Sequence, residues 1–280
     1  MALQLQCSIR EEAMAAECQH VIKEFPSSRQ STFDIGYFGV RNHHMKVLLE
    51  LDVTLARDLI KNYRNTNKKG LSFTAWIVKC ISQAISENKD VHGIRKGKNQ
   101  IVIFNDIDIS LLVEKDVSGE KVPLPVVIRQ VNKKEFSDIH AQIQAAKEQP
   151  VLSTNDYVLG ENQYKWTMRF FVALPQFLRL IIWKRILKNP FLMKKMAGTV
   201  VVTSLSMLGN TRGWVIPVTI HPICFALGSI VKKPGIFKDE IKIREYLYMT
   251  ILVNHDVVDG GPAARFIARL TSLIEQGYGL

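Results

Sequence analysis

A histidine, an aspartate and two glycines stand close together near the end of the 280-residue chain, in the stretch VNHDVVDGG. His255 ends an apolar run that is typical of a strand, and Asp259 precedes a stretch with helical periodicity. An imidazole titrates near neutral pH and can accept a proton as a general base. The positive end of a helix favours the Asp259 carboxylate, and Gly260 permits a tight turn. The spacing predicts a proton-accepting group at a strand end, although a helix-capping aspartate beside an unrelated histidine has the same pattern.

The elements that must position these residues alternate along the chain, as in an α/β protein with a mixed sheet. Helices are predicted at residues 9–25, 56–65, 72–89, 132–149, 167–195 and 260–277, with a loop at 25–32. Strands are predicted at residues 44–54, 101–104, 108–115, 122–129, 198–208 and 246–256, with one or two more in 213–231. The pattern predicts one domain in which a strand leads directly to His255.

The chain is basic, with 37 lysine and arginine residues against 26 aspartate and glutamate residues and a net charge of +11. This balance favours an anionic partner such as a phosphate-rich cofactor, and it also fits a lysine-rich solvated surface. No nucleic-acid-binding motif is present, and the four cysteines fit no zinc spacing. No signal peptide or membrane span is predicted. These features indicate a cytoplasmic protein without a metal site.

Four stretches, taken in order, resemble one family. HDVVDGGPAARFIARLTSLIE resembles the C-terminal signature of the acyltransferase (E2) catalytic domain of 2-oxo acid dehydrogenase complexes, which shares its fold and its HxxxDG motif with chloramphenicol acetyltransferase. GTVVVTSLSMLG resembles the second signature of that family. LELDVTLARDLI with LSFTAWIVKCISQAISENKDVHG, and VPLPVVIRQVNKKEFSDIHAQI, resemble its first unit and its central strand and helix. The resemblance extends from about residue 45 to residue 277, with a gap around 150–195.

The resemblance implies a chloramphenicol-acetyltransferase-like two-layer α/β fold, with helices packed on a mixed β-sheet. Residues 1–40 would form an N-terminal helix and arm, and residues 41–280 would form the catalytic domain. It also implies a homotrimer or a higher multiple of trimers, in which the histidine of one subunit faces a hydroxyl group of its neighbour.

The implied reaction moves an acyl group between coenzyme A and a thiol of the dihydrolipoyl type, or another small acceptor. His255 would be the general base, and Thr203 would donate a hydrogen bond to the tetrahedral oxyanion. The family has a serine at the position of Thr203 and an asparagine at that of Ser204. Ser204 is therefore an alternative donor if the register differs by one residue.

The resemblance assigns a structural role to Asp259, which pairs with an arginine in the family instead of activating the histidine. Arg41, just before the first matched strand, is the expected partner, and Gly260 belongs to the same structural motif. Lys232 and Lys233 follow a strand and are candidates for the phosphates of coenzyme A, or they form a solvated strand end.

Some features depart from the family pattern. The motif reads Asn254-His255-Asp256 where complex-forming members have Asp-His-Arg. No lipoyl domain or flexible linker is recognised, so the lipoyl group is not expected on this chain and a separate lipoyl-bearing protein is a candidate partner. A non-catalytic scaffold of an E2-like oligomer remains an alternative function. A condensation-type enzyme is disfavoured, because that class doubles the histidine where Asn254 stands here and has a longer chain.

Three other features have two interpretations. The basic, apolar segment 167–195 fits a helix on a membrane surface or lining an acyl pocket, and it also fits a helix packed in the core or between subunits. His221 is expected to be a packed, hydrogen-bonded residue rather than a second base. The pair His43-His44 is expected in a solvated loop, although it precedes the first matched strand.

Overall fold

A computed structural model describes residues 28–67, 71–117, 120–149, 170–171, 173–204 and 212–280. The helices that we number are α1 (Ser28–Gly39), α2 (Thr54–Asn67), α3 (Phe73–Glu87), α4 (Phe136–Glu148), α5 (Gln176–Lys188), α6 (Pro190–Ala197) and α7 (Gly260–Glu275). The strands are β1 (His44–Asp52), β2 (Ile94–Lys96), β3 (Gln100–Val102), β4 (Ile109–Val117), β5 (Glu120–Ile128), β6 (Val200–Ser204), β7 (Ile223–Phe237) and β8 (Glu240–Asn254). The helix predicted at residues 9–25 lies outside the described residues.

Six of these strands form one mixed sheet in the order β1-β8-β7-β6-β4-β5. Strand β6 runs parallel to β4 and β7, and the other neighbouring pairs are antiparallel. Buried side chains of α3 and α7 pack with the sheet in the main core, where the rings of Phe225 and Phe266 lie 6.2 Å apart. The predicted two-layer α/β fold with a mixed sheet is confirmed.

The two core helices are fixed by local signals and by each other. Ser72 caps α3, because its hydroxyl oxygen accepts a hydrogen bond from the Ala75 amide at 3.3 Å. The indole of Trp76 on α3 donates to the carbonyl of Tyr278, just after α7, at 2.9 Å. Helix α7, which begins five residues after His255, is thereby anchored to the core on which the site depends.

A second, smaller core joins α1, α5 and α6. Its centre is apolar and contains Ile94, Trp183, Ile186, Met193 and Ile220. At its edge the guanidinium Nε of Arg179 on α5 donates to the carboxylate of Asp34 on α1 at 2.7 Å. Both side chains are almost fully buried. One face of α5 therefore packs within the chain, whereas Phe177 and Ile181 on the same helix are exposed.

The loop expected at residues 25–32 is wrong from Ser28 onward, where α1 begins. The serines and polar residues of this stretch have little helical preference of their own. Packing of Ile35 and Phe38 on the second core, together with the Asp34 ion pair, supplies the stabilisation that the local sequence lacks.

The strands expected within 213–231 are only partly correct. The described residues 212–222 form no regular element, and β7 begins at Ile223, because Pro217 and Pro222 lack the amide donors that a ladder needs. The hairpin of β7 and β8 extends farther than predicted and turns at Lys238 and Asp239, which both have positive φ as in a type I′ turn. The strand predicted at 198–208 is confirmed for Val200–Ser204, and residues 205–211 lie outside the described residues.

Candidate active site

Backbone hydrogen bonds fix His255 on both sides at the end of β8. The amide of Asn254 donates to the carbonyl of Pro222, and the amide of His255 donates to the carbonyl of His43, both at 2.8 Å. Central positions of β8 are buried, so the strand is a rigid support for the residue that follows it. The His255 side chain is 52% exposed. The backbone of His255 is therefore held firmly, and its imidazole is open to an incoming molecule.

Asn254 shapes the turn that carries the imidazole. Its side-chain oxygen accepts a hydrogen bond from the amide of Asp256 at 2.9 Å. Its carbonyl accepts from the amides of Val257 and Val258 at 3.1 and 3.2 Å. Asparagine favours such turns because its side chain bonds backbone two residues ahead. The sequence contained this signal, but the role of Asn254 was not predicted.

Asp259 does not form a triad with the histidine. Its carboxylate lies 3.9 Å from Nδ1 of His255, beyond hydrogen-bonding distance, and its side chain is 89% exposed. Asp259 stands at the N-cap of α7 without a side-chain capping bond. A Cβ atom on Gly260 would meet open space within this chain, and its φ is not positive. Neither a tight turn nor a close approach within one chain therefore requires this glycine.

The expected pairing of Arg41 with Asp259 is wrong for the single chain. The Arg41 guanidinium donates to the carbonyl of Tyr37 and lies 3.8 Å from the centre of the Tyr37 ring. Arg41 lies two residues after the end of α1, and the Tyr37 that it contacts belongs to that helix. Among the described residues Asp259 has no arginine partner.

His43 and Asp256 form a histidine–carboxylate contact that was not predicted from the sequence. Nδ1 of His43 lies 2.9 Å from the carboxylate of Asp256, one residue after His255. His43 is 79% exposed, so its position before β1 agrees with a solvated loop, but its side chain is engaged. Because the amide of His255 also bonds the His43 carbonyl, one residue before β1 contacts two residues of the turn.

His221 is a packed histidine, as expected, and His92 resembles it. The solvated loop expected for His44 is wrong, because His44 begins β1 and is partly buried against the His221 carbonyl. Nε2 of His221 donates to the Ala197 carbonyl at 3.0 Å, while Nδ1 accepts from the hydroxyl of Thr219 at 3.0 Å. Burial lowers the pKa of His221 and of His92 to about 4. Burial also lowers the pKa of His44, against the opposing effect of its hydrogen bond to the His221 carbonyl. All three are predominantly neutral structural groups at neutral pH.

Thr203 lies far from His255 within one chain. It pairs with Ala226 of β7, which pairs with Thr250 of β8. His255 follows Thr250 by five residues, about 17 Å along the strand, and β6 is two strands away from β8. Ser204 is the next residue of β6 and lies still farther from His255. The residues that the structure describes form no hydrogen bond with the Thr203 side chain, so its hydroxyl is available to a ligand.

Lys232 and Lys233 also lie far from His255. Lys232 pairs with Glu245 of β8, ten residues before His255, or about 34 Å along the strand. The Lys233 ammonium forms an ion pair with Glu50, whose hydrogen bond raises the lysine pKa. Lys232 is mostly exposed and lies 3.7 Å from Glu245. Lys233 is thus partly neutralised, and Lys232 is the freer candidate for a phosphate group.

Other chemistry has little support in the part of the chain that the structure describes. No group of three or more histidine, cysteine, aspartate or glutamate side chains could hold a metal ion there. Cys80 and Cys224 are buried, and burial raises each thiol pKa to about 12, so neither is a ready nucleophile. No described helix is both long enough and apolar enough to cross a bilayer.

Comparison with solved structures shows the same fold in E2 cores. A probable dihydrolipoamide acetyltransferase from Listeria monocytogenes superposes with a TM-score of 0.66 at 17% identity, covering 94% of this chain and 97% of that chain. The cubic core of a pyruvate dehydrogenase multienzyme complex superposes with a TM-score of 0.65 at 15% identity, covering 92% and 93% of the two chains. At these identities the likeness establishes the fold alone.

Sequence comparison identifies the family. A dihydrolipoyllysine-residue acetyltransferase component of the pyruvate dehydrogenase complex of Acholeplasma laidlawii is 32% identical over 79 residues, which are 28% of this chain and 14% of that relative. The sequence model of one family, described as 2-oxoacid dehydrogenases acyltransferase (catalytic domain), matches residues 41–151 and 188–280. The unmatched interval contains most of α5, and α1 precedes the first matched residue. The chain belongs to the family of 2-oxoacid dehydrogenase acyltransferase catalytic domains.

Proposed function

We propose that this protein transfers an acyl group between coenzyme A and a small thiol of the dihydrolipoyl type. Family membership supports the reaction class, and the name of the Acholeplasma laidlawii relative supports a dihydrolipoyl acceptor. The observation that carries the proposal is the exposed His255 imidazole on a turn that backbone hydrogen bonds hold on both sides. A general base must be both accessible and well positioned, and this geometry meets both needs.

His255 takes the proton from the acceptor thiol, and the resulting thiolate attacks the carbonyl carbon of the acyl thioester. The tetrahedral oxyanion accepts a hydrogen bond from Thr203, or from Ser204 beside it. When the intermediate collapses, the bond between the acyl carbon and the sulfur of coenzyme A breaks, and the departing thiolate takes the proton from His255. The proton of the acceptor thiol thus ends on the sulfur of coenzyme A, and His255 returns to its neutral form. The reverse reaction uses the same groups.

The site is completed by a second copy of the chain. His255 and Thr203 of one chain are more than about 17 Å apart, so they cannot act on the same carbonyl group. A cyclic trimer, in which unlike surfaces of neighbouring subunits meet, brings the imidazole of one copy to the hydroxyl of the next. Lys232 lies beyond Thr203, so coenzyme A would enter from the end of the sheet that carries the hydroxyl.

The exposed end of the β7–β8 hairpin also supports an oligomer. Ile236 and Ile241 face each other across the two strands and are 81% and 80% exposed. Ile243 on the same hairpin is also exposed. Clustered apolar side chains of this kind mark surfaces that a partner covers.

The test is acyl transfer from acetyl-CoA to dihydrolipoamide by the wild-type protein and by His255→Ala. The variant should lose about 10²-fold or more of the rate, because proton transfer contributes on that scale. Its affinity for coenzyme A and its unfolding curve serve as controls for folding. A near-normal rate in the variant would remove the general-base role. A wild-type protein that neither binds coenzyme A nor transfers an acyl group would support the alternative of a non-catalytic scaffold.

A further inference from the structure

A cleft of about 250 Å³ opens beside the turn that carries His255. Asn254, Asp256 and Val257 of the turn line one side. Phe38 of α1 and Leu187 of α5 line it as well, and both lie outside the residues that match the family. The cleft therefore combines the turn of the family motif with two residues that the family model does not match.

The lining of the cleft joins an apolar surface to two cationic groups. The apolar part consists of Phe38, Ile94, Leu187, Met193, Ile220, Pro222 and Val257. Arg41 and Arg95 supply the positive charge. An amphiphilic molecule with one anionic group complements this combination, because its body is removed from water while its charge meets a guanidinium.

Neither arginine is neutralised by a carboxylate within the part of the chain that the structure describes. Arg41 bonds the Tyr37 carbonyl, and Arg95 bonds the carbonyls of Gly97 and Lys98. The one carboxylate that lines the cleft, that of Asp256, is engaged by His43. Each guanidinium has five donors, so donors remain free for a ligand.

We propose that this cleft binds a small carboxylate-bearing compound, with its apolar body on Leu187, Met193 and Ile220 and its carboxylate on Arg95 and Arg41. The inference deepens the proposed function, because a compound held here lies next to the turn of the general base and is either the acyl acceptor or the acyl group. A volume of about 250 Å³ is below the roughly 300–1,000 Å³ of sites for drug-sized ligands, so the cleft holds a small body and not coenzyme A.

The buried ion pair between Asp34 and Arg179 fixes the wall of the cleft. It holds α1 against α5, and these helices carry Phe38 and Leu187. The cleft is thus built before a ligand arrives, which lowers the entropic cost of binding.

Binding is tested with hexanoate and hexanamide, which share an apolar body and differ in charge, by NMR titration of the oligomeric protein. Hexanoate should bind more tightly than hexanamide. Arg95→Gln should weaken hexanoate about tenfold, the loss of one charge-assisted hydrogen bond, and should leave hexanamide unchanged. Lys96→Gln is the matched control, since it removes one positive charge from the same strand but does not line the cleft.

A second pair of variants tests the position of the body. Leu187→Trp should abolish binding of both compounds by filling the cleft, whereas Ile182→Trp, on the same helix but outside the cleft, should bind normally. Equal binding of the acid and the amide, or equal effects of Arg95→Gln and Lys96→Gln, would overturn the proposal.

The titration separates this inference from the proposed function, because it requires no turnover. His255 does not line the cleft, so His255→Ala should bind hexanoate normally. Hexanoate binding in a protein that transfers no acyl group would contradict the proposed reaction and leave the carboxylate site standing. Acyl transfer without hexanoate binding would contradict the carboxylate site and leave the proposed reaction standing.

Discussion

Asp34 and Arg179 form an ion pair that is removed from water between two helices, 145 residues apart in the sequence. Arg179 also donates to the Leu174 carbonyl at 2.8 Å, so its guanidinium has several partners. The family model matches neither helix, except for the last residue of α5. The pair therefore joins two helices that the family model leaves almost wholly unmatched.

Removing one member of this pair should be strongly destabilising. Asp34→Ala leaves the buried Arg179 unpaired, and we expect the free energy of unfolding to fall by about 3–5 kcal/mol. Urea denaturation measures this change. The double variant Asp34→Leu/Arg179→Met removes both charges and should recover most of the loss. If the single and double variants are equally unstable, the cost comes from packing and not from an unpaired charge.

The stability of the protein should fall between pH 7 and pH 4 because of two buried histidines. Burial lowers the pKa of His92 and His221 to about 4, whereas in the unfolded chain each returns to its ordinary value of 6.5. The unfolded state therefore binds up to about two more protons within this range, and acid favours it. The stabilising effect is complete above pH 6.5 and is lost as the pH falls towards 4.

Urea unfolding of His92→Asn at about pH 7.5 and about pH 5 tests this linkage. The variant loses the hydrogen bonds of His92 to Thr199 and to the Phe104 carbonyl, so it should be less stable than the wild type at the higher pH. The difference in stability between the two pH values should be smaller than in the wild type. An unchanged pH dependence would show that His92 keeps its ordinary pKa in the folded protein.

Thr203→Val should lower the rate of acyl transfer by about 10²-fold or more, because it removes a hydrogen bond to the oxyanion. Valine keeps the shape of threonine, so coenzyme A binding should change little. The neighbouring Ser204→Ala is the matched control and should be nearly as active as the wild type. If the two results are exchanged, Ser204 is the oxyanion donor and the register of the second signature shifts by one residue.

The fold and the position of His255 were predictable because their signals are local. Alternating apolar residues marked the strands, and the signature around His255 marked the strand end. Helix α1 was missed because its stabilisation comes from distant partners, among them Arg179. The family resemblance implied that His255 and the hydroxyl act from neighbouring subunits, but the distance between Thr203 and His255 in one chain depends on the register of three strands, which only the folded sheet defines.

The turn that carries His255 was predictable only in part. Asn254 followed by two further polar residues is a local turn signal, and it could have been recognised from the sequence. The contact of His43 with Asp256 could not, because the two residues are 213 positions apart. It forms only after β1 pairs with β8.

The most direct test of the shared site is complementation between two inactive proteins. His255→Ala and Thr203→Val are mixed in equal amounts under conditions that exchange subunits, and acyl transfer from acetyl-CoA is measured before and after exchange. In randomly mixed trimers a site has an intact histidine in half of the cases and an intact neighbouring threonine in half, so about a quarter of wild-type activity should return. Activity that stays at the level of the separate variants, although mass analysis shows mixed oligomers, would contradict a site built from two subunits.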